Sequence, residues 1–367
     1  MILMTIEKKY AELLVAYCLE LKKGDRVYIH STILAEPLVR EVYRCAVQVG
    51  AHPEVNLEFE ERNKILMDNA SDHQLDYVSP VNELIINHFD AYLYIRAPYN
   101  LKAESSIASE KRKKRSEATR KLNQVFSERT ADGSMVRSLC QYPTNASAQE
   151  AGMSLEEYRD FVYKACHLFE KDPAQSWLKI RKDQQRIVDF LNNSSEIRYK
   201  GPKTDVSFSV EGRTWINSDG RVNMPSGEVF TGPVEDTVEG KVFFDYPSIY
   251  LGREVSGVAF EIEGGEIVKW SAEKGQSVLD EVMALDGARF FGEVAIGTNY
   301  NIQRATKNIL FDEKIGGTIH MAVGQSYIQT GGKNQSVIHW DLISNMKDGG
   351  AIYADNKMIY QNGKFLI

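Results

Sequence analysis

In the segment SVIHWDLIS, His339 stands two residues before Asp341. Residues i and i+2 of a strand project from one face, so an imidazole and a carboxylate are presented side by side, as in a metal-ligand pair. A His–Asp hydrogen bond on a half-exposed strand has the same pattern, so the pair alone decides nothing. His320 lies in GGTIHMAVGQSY, among glycines and small residues that let another group approach closely, and Tyr327 follows seven residues later. Two glutamates follow a glycine at the head of an apolar β run, Glu228 in PSGEVFT and Glu293 in FFGEVAIG. Carboxylates are depleted in strands and mostly exposed, so for either one alone a solvated strand end is the default. Two imidazoles and three carboxylates in like settings match a ligand shell of nitrogen and oxygen donors. With bridging or chelation they supply more bonds than one tetrahedral zinc needs, which favours two ions sharing a carboxylate and a water. The remaining histidines (His30, His52, His73, His88 and His167) are scattered over the first half and read as surface or satisfied core residues.

The elements that must position these groups divide the chain. Only Gly24, Gly50, Gly133 and Gly152 of the 26 glycines precede residue 195, and glycine punctuates turns, bulges and strand ends. The first half alternates helix and strand: TIEKKYAELLVAYCLELKKG with a 3.6-residue stripe of Tyr10, Leu13, Leu14, Tyr17, Cys18 and Leu21, then RVYIHST, EPLVREVYRCAVQVG, PEVNLEF and AYLYIRAP. Strands separated by helices favour a parallel sheet. Ser154 and Glu157 form a capping box, and WLKIRKDQQRIVDFL is a further helix. The second half is a series of β runs with turn signals at EGGE and DNKM, interrupted by one helix near SVLDEVMALDGA. The fold class expected is therefore an α/β N-terminal domain over residues 1–194, a mostly parallel sheet with helices, and a β-rich α+β C-terminal metal-binding domain over 195–367.

A net charge of -7 argues against a general nucleic-acid binder. The basic run Lys111–Arg115 is balanced by Glu104, Glu110, Glu117 and Glu128 and reads as a solvated helix face. No GxGxxG or GxxxxGK[ST] follows a strand. The four cysteines (Cys18, Cys45, Cys140, Cys166) lie singly without a CxxC, and Cys18, Cys45 and Cys166, in helical apolar patterns, read as reduced core residues. The start, MILMTIEKKY, has no cationic region before an apolar core, and no apolar run reaches membrane-span length. A cytoplasmic protein without membrane contact is the expectation.

The stretch GRTWINSDGRVNMPSGEVFTGPVEDTVEG, then GEVAIG, HMAVGQSY and IHWD in that order resemble the thermophilic aminopeptidase family of dinuclear metallo-aminopeptidases (aminopeptidase T and AmpS type). The resemblance implies a metal pair held by Glu228, Glu293, His320, His339 and Asp341, with Tyr327 at the metal centre. It implies a homodimer acting on short peptides with a free N-terminus. Two divalent ions (zinc, cobalt or manganese) would activate a water for attack on the first peptide bond. Tyr327 is then a ligand or an oxyanion donor, and Glu293 or Glu235 a candidate general base. Such chemistry needs neutral histidines and is expected to fade below about pH 6. The alternatives are a mononuclear non-haem iron ring-opening dioxygenase, which shares the H-x-D element, and a non-enzymatic binding protein on the same scaffold.

Overall fold

The computed structural model describes residues 5–367, so Met1–Met4 of the MILMTIEKKY segment lie outside it. The chain forms two compact units, one of residues 1–174 with 220–225 and the other of residues 175–219 with 226–367. The composition break at residue 195 falls where the Pro173–Leu191 helix gives way to the Glu196–Gly201 strand of the second unit.

The first unit is a parallel five-stranded sheet in the spatial order His52–Glu58, Arg26–Thr32, Ala91–Arg96, Val136–Gln141, Asn223–Met224. Helices occupy the connections among its first four strands in the chain, the crossovers that parallel pairing needs. The opening stripe holds: Tyr10, Leu13, Leu14, Tyr17, Cys18 and Leu21 are all buried, although the helix Ile6–Leu13 widens into a π turn over Leu14–Cys18. The Ser154–Glu157 capping box forms at the Leu155–Ala165 helix, and all four cysteines are buried outside any disulfide. The basic run lies on the Ser109–Ala131 helix, which has no buried residue. It does more than meet solvent. Lys111 donates to the carbonyl of Met67, Arg115 to those of Leu75 and Tyr77, and Lys114 pairs with Asp72 and Asp76. Cations thus cap the C-terminal ends of two short preceding helices, where the helix dipole favours them.

The second unit holds two antiparallel sheets. The nine-stranded sheet contains both expected hairpins, with Glu263 opposite Glu266 and Ala354 opposite Lys357. The five-stranded sheet runs in the order His339–Asn345, Thr318–Gly324, Phe291–Gly297, Glu228–Thr231, Ile216–Ser218. Val229, Val294, Ile296, Ile319, Met321, Val323, Trp340 and Leu342 bury one of its faces in the core. Period-2 alternation then sends Glu228, Glu293, His320, His339 and Asp341 to the opposite face. Register aligns them. Gly297 pairs with Glu228, Ala322 with both Glu293 and Asp341, Ala295 with His320, and Gly324 with His339. Alanine or glycine therefore pairs with each of the five on at least one side, while Ile343 also faces His320 and Ser218 faces Glu228.

The turn that delivers Glu228 is tightly built. Gly227 has φ +116°, and a Cβ there would lie 2.7 Å from Cβ of Asn299. Gly227→Ala is expected to destabilise the fold by about 1–3 kcal/mol through combined backbone strain and overpacking, read as a lower midpoint of denaturant unfolding. An unchanged midpoint would show that the turn relaxes freely.

Candidate metal centre

Five side chains from four adjacent strands meet in a buried space, with Glu228, Glu293, Asp341 and His320 all less than one-tenth exposed. His320 Nε2 lies 3.5 Å from Glu228 Oε2 and 3.4 Å from Glu293 Oε1. His339 Nε2 lies 3.1 Å from Glu293 Oε2 and 3.5 Å from Asp341 Oδ1. Two groups with mutually close ligand atoms result, Glu228–Glu293–His320 and Glu293–His339–Asp341. Glu293 belongs to both, one oxygen facing each histidine.

The hydrogen bonding leaves ligand atoms free. His339 Nδ1 is 2.7 Å from the Gln325 carbonyl, which can only accept, so the proton sits on Nδ1 and the lone pair of neutral His339 is on Nε2. Glu228 Oε2, Asp341 Oδ1 and His320 Nδ1 are buried with no hydrogen-bond partner among the described residues. Buried carboxylate oxygens are costly to leave unpaired. Two of them, aimed into a cluster of oxygen and nitrogen donors, fit divalent cations. Gln184 steadies the strand backbone behind them: its amide donates to the carbonyls of Ser218 and Glu228 and accepts from Thr298 Oγ1.

Electrostatics in the metal-free site follow from the same crowding. Burial would lower the His320 imidazole, but its hydrogen bond to Glu293 and the carboxylates of Glu228 and Asp341 outweigh it and push it up to about 9. Burial is likewise outweighed at His339, where Asp341 and Glu293 push the ring up to about 12. Asp341 is pulled down to about 2 against its burial, chiefly by His339.

The Tyr327 ring lies tilted against His339 of this set. Its ring centroid is 4.8 Å from that of His339 and 5.7 Å from that of Phe230, and the residue is 41% exposed. Partial burial and the carboxylates of Glu293 and Asp341 hold its phenol well above the ordinary value, so it stays protonated. Glu235 is committed elsewhere. Its Oε2 accepts from Arg213 at 2.5 Å and its Oε1 from the Lys333 backbone at 2.6 Å. It thereby ties down the far end of the loop that carries Tyr327.

One pair at the centre escaped the sequence. Lys314, 0% exposed, places Nζ 3.3 Å from Glu228 Oε1 and also pairs with Glu313. Burial opposes its charge, yet the two carboxylates raise it well above the usual lysine value. In FDEKIGG this dyad looks like an exposed charged turn. The one local hint is the apolar flank of Phe311 and Ile315, both fully buried.

Known proteins agree with this architecture. The family model for the thermophilic metalloproteases (M29) matches residues 5–365. Aminopeptidase 2 of Geobacillus stearothermophilus is 27% identical, the match covering 93% of this chain and 92% of that protein. Aminopeptidase T of Thermus aquaticus is 31% identical over 56% of this chain and 58% of its own length. Wild-type AmpT from Thermus thermophilus shares the fold, with a TM-score of 0.85, 24% identity and 99% of both chains covered. A family match spanning nearly the whole chain, over a sheet that gathers five side chains able to ligate a metal, makes this protein a member of the thermophilic metalloprotease (M29) family, a hydrolase acting on peptides.

Proposed function

We propose that the protein is an aminopeptidase that releases N-terminal amino acids from short peptides at a site for two divalent ions. Glu228, Glu293, His320, His339 and Asp341 would hold them. The observation that carries this reading is the double membership of Glu293, whose two oxygens face two histidines from opposite sides. The ions, when bound, supply an activated water and Lewis acidity toward the peptide carbonyl. The chain's own contributions are positional and protonic. The Gln325 carbonyl sets the His339 tautomer, and the neutral phenol of Tyr327 beside His339 donates a hydrogen bond to the oxyanion that develops on the scissile carbonyl. We assign Glu235 to holding the Tyr327 loop rather than to proton transfer, because Arg213 and the Lys333 amide occupy its oxygens. Zinc, cobalt and manganese all suit the donor set. A cytoplasmic homodimer belongs to the same reading, and chromatography coupled to light scattering tests the dimer. An iron dioxygenase is not favoured, since its centre needs two histidines and a single carboxylate.

Hydrolysis of leucine p-nitroanilide, measured before and after chelation with metal analysis of the same sample, tests the assignment. Loss on chelation, recovery with added metal and close to two ions per chain are expected. One iron per chain without peptidase activity would sink it.

The sign of the pH dependence follows from the raised imidazoles. In the metal-free protein His320 and His339 carry protons at pH 7, and metal must displace them. Metal uptake at pH 7 is therefore expected to release protons, and apparent affinity to rise with pH well above the ordinary histidine range near 6.5. Calorimetric titrations in buffers of different ionisation enthalpy measure the release. Zinc binding with no proton release would contradict it. Tyr327→Phe is expected to lower kcat on the order of 10²-fold or more, the usual cost of one oxyanion donor, with metal content unchanged. Loss of metal in that variant would make the tyrosine a ligand instead.

A further inference from the structure

Lysine is almost never fully buried unless paired, and Lys314 is buried between two carboxylates, Glu228 and Glu313. Its attachment to the Glu228 strand is built twice. Through the backbone, the Lys314 carbonyl accepts from the Asn299 amide at 3.0 Å, and Asn299 Nδ2 donates to the carbonyl of Ser226 at 2.9 Å. Asn299 is also the residue against which Gly227 packs. Through the side chain, the ammonium reaches Glu228 Oε1, whereas Glu228 Oε2 has no hydrogen-bond partner among the described residues and lies 3.5 Å from His320 Nε2. The carboxylate is thus split into a held oxygen and a free one.

We propose that Lys314 is the positioning residue of Glu228, fixing Oε1 so that Oε2 is the single atom offered to the ion shared with Glu293 and His320. Glu313 accepts from the same ammonium on its other side. This rests on the metal-site reading above. A ligating carboxylate held by a hydrogen bond is pre-oriented, and losing such a partner typically costs 10–100-fold in metal affinity. Because Lys314 acts through Glu228, its effect must disappear once Glu228 no longer ligates.

Zinc titration of the chelator-treated full chain, followed by calorimetry and metal analysis, tests this on the wild type, K314M, E228Q and the double variant. K314M is expected to weaken one of two zinc positions on the order of 10–100-fold while the other stays filled, and K314R to restore part of the loss. In the E228Q background K314M is expected to change nothing further. Wild-type binding by K314M, or losses that simply add, overturn the proposal. A wild type that binds no zinc overturns the metal-site reading beneath it instead. Should K314M fail to fold, E313Q takes its place in the cycle. A smaller loss that vanishes with E228Q supports the proposal, and a loss that persists there overturns it.

Discussion

Three carboxylates gathered around two histidines repel one another, and burial sharpens the repulsion because little water is present to screen it. The second unit is organised around keeping them there. The apolar face of the five-stranded sheet fixes its register in the core, and register in turn fixes which side chains meet on the other face. Protons on His320 and His339 and the ammonium of Lys314 supply the compensating charge within the chain. The cluster consequently suits a bound cation, whose charge would relieve the same repulsion.

Small residues complete the arrangement. Ala295, Gly297, Ala322 and Gly324 stand opposite the chemical side chains in the ladder, and a Cβ at Gly297 or Gly324 would collide with the carbonyl of Ile315 or Ile338. Sheets seldom place alanine and glycine so regularly. Here their smallness is the useful property, and the lost packing is recovered on the core face by valine, isoleucine, leucine and methionine.

The site was largely legible in the sequence because strand geometry is local. His339 and Asp341 share a face through the period of two alone, and Glu228, Glu293 and His320 carried the same mark, a polar residue inside a glycine-bounded apolar run. Lys314 was not legible, since its burial depends on contacts with a strand more than eighty residues earlier. Nor was the role of Lys111–Arg115, where charge balance suggested a solvated face and the actual partners are helix-end carbonyls. Backbone acceptors leave no trace in residue type. The last strand of the parallel sheet, Asn223–Met224, is two residues long and polar at its first position, too short for any periodicity to register.

That two-residue strand has a consequence for anyone who would cut the protein into parts. Residues 220–225 belong to the first unit although they are flanked on both sides by chain of the second, and Glu228 begins three residues after the excursion ends. A fragment starting at the composition break would carry away the edge strand of the parallel sheet, and one ending there would leave that sheet a strand short. The two units are therefore not separable at any single peptide bond. Recombination between relatives, by nature or by an engineer, has to exchange the two halves as an interlaced pair.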